Sequence, residues 1–450
     1  MLPLFNLGKR MKVVVVGGNA AGMSFAAKYK RNQPNDEVIV IEKRQYISFG
    51  GCGLPYFAGG FFDDTERMIS RTPEQAIASG LDVRLDSEVV GLNRLDKQIT
   101  VVHQGTESHL AYDKLIICSG ARPVVPPFGE YTRDHVYTLT SQEDGLAVKE
   151  AFKDNSKQRI CIIGAGFIGL EVFDAAHALG KDVTIVEREK TVMSRQFSPE
   201  MIEVVETELR KSGANLLTSC SVNKIVDADD GSYVVETDTG NIEADIVILS
   251  LGFKPNTEAF ELAKADNGAL LVDEFGATED PHIFSVGDCA VVHHLALGKS
   301  IYVPLATTAN KQARMMADNL AGKDTHLSGF LGSSCLKVLD YELACTGVSE
   351  LMAQDHGLEV KTSTIKDKNQ TDYYPGQEDI SIKLVYEPNT NVLLGGEIVG
   401  KKGAVARINA LAVAITAKMT TQQLGYLDFC YAPPFARTWD ALNVAGNVAK

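Results

Sequence analysis

One unit occurs twice in this chain: strand, glycine turn, helix, strand, acid. Lys12–Val16 is a β-branched run that ends at Gly17-Gly18-Asn19-Ala20-Ala21-Gly22. A helix-compatible segment follows from Met23 to Arg31, then a second strand, Glu37–Ile41, that closes on Glu42 and Lys43. Such a turn lets a pyrophosphate reach a helix N-terminus, and the acid accepts hydrogen bonds from a ribose. Asn19 stands where the three-glycine fingerprint has its middle glycine, so this first match is partial; an acid 25 residues beyond Gly17 strengthens it. Arg159–Ile163 repeats the pattern in full, with Gly164-Ala165-Gly166-Phe167-Ile168-Gly169, a helix to Leu179, Val183–Val186 and Glu187. Glu187 favours a free ribose 2′-hydroxyl and hence NADH, while Arg188 leaves room for NADPH.

Two dinucleotide sites imply two cofactors, and FAD with NADH is the economical pair. At 450 residues the chain exceeds one ordinary core, so two or three domains are expected. Tyr112–Gly120 and Asp245–Gly252 are apolar strands ending in small residues, each followed by a proline-containing linker. They mark crossings between the two nucleotide units. Ile283–Asp288 reads as a buried strand ending in Gly287-Asp288, and Pro304-Leu305-Ala306 opens a helix running to about Leu320. After Gly322 the pattern alternates, as in an antiparallel sheet with strands at Cys335–Leu339, Ser381–Tyr386 and Val392–Val399. Ala404–Met419 has helical spacing and would cover one face. The expected fold is α/β: two Rossmann-like dinucleotide-binding domains, for FAD and NADH, plus an α+β C-terminal domain for dimerisation or support. Their bounds read as 11–122 with 250–324, then 123–249, then 325–450.

The remaining composition mostly excludes. A net charge of −14 without a basic cluster argues against nucleic acid as a partner. No run approaches the roughly 20 apolar residues of a membrane helix. At the start, Leu2–Leu7 is apolar but its basic residues follow it and no small-residue cleavage site appears, so a signal peptide is not expected. Met11 is a natural start, which makes residues 1–10 an extension with little structural role. Eight cysteines without a Cys-x-x-Cys pair, most in apolar runs, suit buried thiols in a reducing cytoplasm. The nine histidines are scattered, and no metal site is expected.

Cys52 is different. It sits in Ser48-Phe49-Gly50-Gly51-Cys52-Gly53-Leu54-Pro55-Tyr56, among small residues that let a bulky partner approach the sulfur. A helix beginning here would favour its thiolate. By composition alone this is a glycine turn around an inert buried cysteine. Flanked by two nucleotide units, it becomes the candidate redox group.

With these motifs in place, the chain resembles the flavin-dependent pyridine nucleotide–disulfide oxidoreductases over nearly its whole length. Within them it is similar to the single-cysteine group: coenzyme A-disulfide reductases, persulfide reductases, NADH oxidases and NADH peroxidases. The residues that carry the likeness are the Ser-Phe-x-x-Cys-Gly-x-Pro-Tyr stretch, Gly287-Asp288, and Pro304 to Asn310. The resemblance implies FAD at Gly17, Asn19, Ala20, Ala21, Gly22, Glu42, Lys43, Gly120, Asp288, Pro304, Leu305 and Ala306. It implies NADH at Gly164, Gly166, Phe167, Ile168, Gly169, Glu171, Glu187 and Gly252, with Phe167 covering the flavin until it swings aside and Glu171 placing the nicotinamide.

Oxidases and peroxidases of this group carry a histidine in the first glycine loop, where this chain has Ala20. Coenzyme A-disulfide reductases are similar to it at Tyr431-Ala432-Pro433-Pro434 and at Tyr373-Tyr374-Pro375-Gly376. In that family one tyrosine of each motif reaches the substrate side of the cysteine across a homodimer. Tyr373 is favoured slightly over Tyr374, and Phe435 departs from a tyrosine often found there. The basic segment Lys28-Tyr29-Lys30-Arg31 matches the region that binds coenzyme A phosphates, with Arg31 as the leading candidate; Ser48, Phe49 and Gly51 line the substrate side. No rhodanese-like extension follows Lys450, so a fused sulfur-transfer domain is not expected. The implied activity is reduction of coenzyme A disulfide, a persulfide or a polysulfide by Cys52, with coenzyme A itself a candidate for bonding to Cys52 at rest. The alternatives are an NADH oxidase or peroxidase using the same parts, and a flavoprotein sensor that changes shape with NADH and does no catalysis.

Overall fold

The computed structural model describes residues 10–132, 134–326 and 328–450; the N-terminal extension up to residue 9 lies outside the described residues. Five parallel strands form a first sheet in the order Ile283–Ser285, Lys114–Ile117, Lys12–Val16, Glu37–Ile41, Asp82–Arg84. Its central strands are continuous Val/Ile runs because both faces are covered. Val13 and Val15 pack beneath the helices Ala20–Asn32 and Ala306–Leu320. Val14 and Val16 face a three-stranded antiparallel layer, Ser87–Asn93, Gln98–His103 and Thr106–Ala111, through Ile99 and Val101.

A second parallel sheet repeats the plan in the order Asn215–Leu217, Asp182–Val186, Arg159–Ile163, Ile246–Leu249, Val136–Tyr137. Helices Gln142–Lys153, Phe167–Ala178 and Pro199–Lys211 contribute to the core on one face. The antiparallel strands Val222–Asp227, Tyr233–Thr237 and Gly240–Ala244 cover the other. The expected crossings are found side by side: Ala121–Pro123 pairs antiparallel with Phe253–Pro255. Ser119 Oγ donates to the Asn256 carbonyl at 2.5 Å, and Asn256 Nδ2 donates back to the Ser119 carbonyl at 3.1 Å. Gly120 and Gly252 open the two segments of this ribbon, and both take positive φ.

The C-terminal layer is a five-stranded antiparallel sheet, ordered Ser334–Val338, Tyr341–Gly347, Leu393–Gly400, Asp379–Tyr386, Lys361–Lys368. Helix Ala404–Thr416 packs on it, ending three residues before the expected limit at Met419. Likewise, the helix expected to open at Pro304 begins at Ala306, and the first begins at Ala20. Three cysteines are exposed, Cys52, Cys335 and Cys430, against an expectation of mostly buried thiols; Cys118, Cys161, Cys220 and Cys289 are buried. The chain is thus α/β, two Rossmann-like units with an α+β C-terminal layer. No helix among the described residues is long and apolar enough to cross a membrane, and no cluster there could hold a metal ion.

A buried polar knot docks the C-terminal sheet on the second unit. Lys383 and Glu397 are cross-strand partners, and both are buried. Glu397 accepts from Ser198 N and Ser198 Oγ, both at 2.8 Å. Lys383 Nζ donates to Ser198 Oγ at 2.9 Å, to Glu200 at 2.6 Å and to Glu350. Glu200 and Glu350 are half exposed, but removing Lys383 leaves the buried Glu397 without a neighbouring cation. Lys383→Ala is expected to lower unfolding stability by roughly 1–3 kcal/mol, the cost of leaving buried polar groups unpaired, measured by chemical denaturation; an unshifted midpoint would show that apolar packing alone holds the sheet.

Candidate active site

The two glycine turns are built alike. Gly17 N–H bonds to the Ile41 carbonyl at 2.8 Å, and Gly164 N–H to that of Val186 at 2.8 Å. Each terminal acid then straps its own turn. Glu42 accepts from Gly18 N at 2.7 Å and Arg44 N at 2.9 Å. Glu187 accepts from Ala165 N at 2.7 Å and Glu189 N at 2.8 Å. One bond to each oxygen fixes the carboxylates and leaves lone pairs for hydroxyl donors. The third glycine of each turn is sterically required: a Cβ on Gly22 would lie 1.9 Å from the Gly17 carbonyl oxygen, and one on Gly169 2.0 Å from that of Gly164. The middle position differs. A Cβ on Gly166 would meet nothing within 4 Å, whereas Asn19 Oδ1 accepts from Phe49 N at 3.1 Å.

That bond ties the Cys52 loop to the first turn. Ser48 N–H also donates to the Gly18 carbonyl at 2.8 Å, with Ser48 in the left-handed region at φ 54°. Cys52 lies in a 3-10 turn, Gly51–Gly53, that runs straight into the short helix Leu54–Ala58. This helix is wedged between two helices of the second unit. A Cβ on Gly145 would come within 2.5 Å of Leu54, and one on Gly59 within 2.9 Å of Ala175. Buried Lys149 sits 4.1 Å above the Phe57 ring and donates to the Phe62 carbonyl at 2.7 Å and to Asp63 at 2.8 Å. Tyr56, one turn beyond Cys52, donates to Glu171 at 3.3 Å. Glu171 is on the helix that the second glycine turn opens.

The electrostatics overturn one expectation. The helix start was expected to favour the Cys52 thiolate, yet the Cys52 thiol is pushed up, first by burial and then by the charges of Glu171 and Asp288, against one backbone hydrogen bond. Solvent reaches Cys52, but protein walls the rest, and a five-residue helix has too small a dipole to compensate. Burial raises the Glu171 carboxyl to about 7, partly offset by Tyr56, and raises Asp288 to about 6.

Gly287 joins the remaining piece: its Cβ would lie 2.9 Å from Ala21 and 3.6 Å from Ala309. It therefore sits where the first turns of Ala20–Asn32 and Ala306–Leu320 meet, with Pro304 and Leu305 leading into the second. Lys43 is exposed beside Glu42, and Phe167 and Ile168 are half-buried at the head of their helix.

Two predicted groups lie farther out. Of the basic segment, Lys28 pairs with Asp318 at 3.1 Å, Lys30 donates to the Asp36 carbonyl at 2.7 Å, and buried Tyr29 donates to Asp36 at 2.8 Å. Arg31 alone stays uncommitted among the described residues. It lines a groove of about 510 Å³ with Lys30, Arg71 and Ser79. Arg71 follows Ser70, whose N–H bonds to the Ser48 carbonyl at 3.0 Å. The hydroxyls of Tyr373 and Tyr431 meet at 2.5 Å, both side chains exposed. Tyr374 takes no part in that contact; its carbonyl accepts from Gln370. Among the described residues neither hydroxyl bonds to Cys52 of the same chain.

Residues 11–313 match the family model of pyridine nucleotide-disulphide oxidoreductases, and 333–442 match that family's dimerisation domain. The chain belongs to this family. It is 34% identical over 453 residues to the NAD(P)H coenzyme A polysulfide/persulfide reductase of Pyrococcus horikoshii, covering 99% of this chain and all of that one. With the NADH oxidase of Enterococcus faecalis it shares 32% over 445 residues, 98% and 99% of the two chains. Among solved structures, reduced CoADR-RHD of Bacillus anthracis superposes with a TM-score of 0.93 at 32% identity, over 98% of this chain and 80% of that one.

Membership of the pyridine nucleotide-disulphide oxidoreductases implies FAD and NAD(P)H, and the residues fit both. Gly166 leaves the space a pyrophosphate needs in front of a helix N-terminus. The Asp288 carboxylate has no donor among the described residues and is raised by burial alone, which suits a ligand rich in hydroxyls. Sequence reasoning passed over Arg71 and the Tyr56–Glu171 contact. The second had a signal, because Tyr56 follows Cys52 by four residues and so shares its helical face; the first had none.

Glu171 charges as pH rises through about 7, and that charge opposes ionisation of Cys52, alongside Asp288. Glu171→Gln removes it. The pH at which Cys52 becomes reactive should fall, with alkylation by iodoacetamide near neutrality rising about tenfold for each unit. Rates read peptide by peptide separate Cys52 from Cys335, which also faces Glu171; an unmoved Cys52 profile would refute the coupling.

Proposed function

We propose that this chain is an FAD-dependent NAD(P)H:disulfide oxidoreductase that reduces coenzyme A disulfide, or a related persulfide or polysulfide, at Cys52. The carrying observation is the position of that thiol: solvent-accessible, tied to the first glycine turn through Asn19 and Gly18, and coupled to the second through Tyr56 and Glu171. Residues 11–122 with 250–324 form the FAD domain in this reading, 123–249 the NAD(P)H domain, and 325–450 the interface domain.

When bound, FAD supplies the relay that carries two electrons from NAD(P)H to sulfur. The chain holds it with Gly17, Asn19, Ala20, Ala21, Gly22, Glu42, Lys43, Gly120 and Asp288 and with the helix start at Pro304, Leu305 and Ala306. Gly164, Gly166, Phe167, Ile168, Gly169, Glu171, Glu187 and Gly252 hold the nicotinamide cofactor. Glu187, strapped across its turn, offers acceptors to a ribose 2′-hydroxyl and repels a 2′-phosphate; Arg188 is exposed and paired with Glu189 at 3.1 Å. That combination favours NADH. Cys52 as thiolate attacks a disulfide R–S–S–R, forming Cys52–S–S–R and releasing RS⁻. Ser48, Phe49 and Gly51 shape the approach.

The groove of Arg31 and Arg71 supports a phosphorylated substrate. Helix Ala20–Asn32 spans about 20 Å, the scale of an extended pantetheine arm, with the Cys52 loop at its start and Arg31 at its end. The Pyrococcus horikoshii relative is a coenzyme A polysulfide/persulfide reductase by name, which agrees. Tyr373 and Tyr431 are exposed, as are Tyr426, Phe435 and Trp439, a face suited to burial against a second copy. In a homodimer the tyrosine pair completes the partner's site and protonates the departing thiolate. Such an enzyme works in the cytoplasm on a small-molecule substrate.

Cys52→Ser is expected to keep flavin and NADH binding and lose disulfide reduction; full activity would overturn the reading. The intact mass before and after reduction should differ by one coenzyme A if that thiol is bonded to Cys52 at rest. Arg31→Ala and Arg71→Ala should each raise KM for coenzyme A disulfide by about 10–100-fold, with KM for NADH unchanged. The oxidase reading is supported by relatives named NADH oxidase, that of Enterococcus faecalis among them, and is tested by NADH consumption in air with no disulfide present. Ala20 provides no imidazole for oxygen chemistry, so negligible consumption is expected.

A further inference from the structure

The Tyr373–Tyr431 contact is made by two exposed side chains on loops 58 residues apart. Their meeting must be set from below, by the backbone that carries them. Beneath both loops lies one buried guanidinium. Arg407, on helix Ala404–Thr416, donates from Nε to Asp440 at 3.0 and 3.1 Å and from Nη2 to Asp440 at 2.7 Å. That bidentate pair already balances its charge. The remaining donor capacity is directed at carbonyls: Nη2 to Asn369 at 2.9 Å and to Phe435 at 3.4 Å, and Nη1 to Gly403 at 3.3 Å.

Asn369 precedes Tyr373 by four residues, and Phe435 follows Tyr431 by four. One planar fork therefore grips the root of each tyrosine loop, something a lysine, with a single point of charge, cannot reproduce. Two further facts point the same way. Thr371 Oγ1 donates to the Pro433 carbonyl at 3.2 Å, joining the loops a second time. A Cβ on Gly403 would stand 2.5 Å from Arg407 Nη1, so a glycine at that position makes room for the fork.

We propose that Arg407 is a positioning residue for the Tyr373–Tyr431 pair, holding the carbonyls at Asn369 and Phe435 so that the two hydroxyls meet. Its consequence for turnover rests on the reading that this pair acts at sulfur; its consequence for the pair itself does not. In the holoenzyme labelled with fluorotyrosine, the fluorine resonances of Tyr373 and Tyr431 are assigned from Tyr373→Phe and Tyr431→Phe. Arg407→Lys should shift both resonances and lower kcat for coenzyme A disulfide about tenfold with KM for NADH unchanged. Combined with Tyr431→Phe, it should add no further loss, because both changes act on one contact. Unmoved resonances, or losses that multiply in the double variant, would overturn the proposal. Where Arg407→Lys fails to fold, Thr371→Val breaks only the second tie and should move the same resonances by less; no movement counts against the proposal. If Tyr431→Phe turns over at the parent rate while Arg407→Lys still shifts the resonances, the catalytic reading of the tyrosines falls and the positioning stands.

Discussion

A five-residue helix is far too short to persist on its own, so everything that Cys52 can do depends on how Leu54–Ala58 is wedged. Leu54 and Phe57 are buried in a core that also holds side chains from the second nucleotide unit and from the C-terminal sheet. Each such burial contributes roughly 1.5–3 kcal/mol. Gly145 and Gly59 set how close the neighbouring helices come, and Lys149 closes the wedge over the Phe57 ring while satisfying the carbonyl of Phe62. The sulfur is therefore positioned by the second nucleotide unit as much as by its own loop.

The imperfect match of the first turn finds its reason in the same place. In the second turn the middle glycine only has to stay out of the way, and Gly166 does so. The first turn must also hold the Cys52 loop, and a glycine has no side chain with which to do it. Asn19 supplies an amide oxygen to Phe49 N–H, next to the backbone bond between Gly18 and Ser48. The departure from the fingerprint is the attachment point of the chemistry. The two frames are alike, each with an acid strapped across its own glycine turn; the single side chain at the middle position makes them different.

The layers were legible because their signals are local. Lys12–Val16, Glu37–Ile41 and Arg159–Ile163 begin and end at the residues their β-branched runs indicate, and the glycine turns fall between strand and helix. The crossing ribbon was legible as well, since proline ends each strand. The charge environment of Cys52 was not: it depends on Glu171 and Asp288, which lie more than 100 residues away in sequence. For the same reason the basic segment looked richer than it is. Nothing near Lys28 announces that Asp318, 290 residues on, occupies it, or that Arg71 stands beside Arg31; the Asp36 carbonyl that takes Lys30 is only six residues away, but its hydrogen bond depends on the turn after the helix. Arg407 sits in an apolar helical stretch and reads as an interruption until its carbonyl partners are seen.

Around the sulfur, three groups compete for negative charge. Cys52, Glu171 and Asp288 all have their neutral forms favoured, each chiefly by burial. Ionising either carboxyl raises the cost for the thiol. Hydrogen-bond donors brought to either carboxyl favour its charged form, and that charge opposes ionisation at the sulfur. Ribityl hydroxyls would be such donors for Asp288, and a carboxamide N–H would be one for Glu171. The acidic neighbours thus oppose the Cys52 thiolate rather than assist it, and the one lowering influence from the chain is the backbone hydrogen bond at the turn itself.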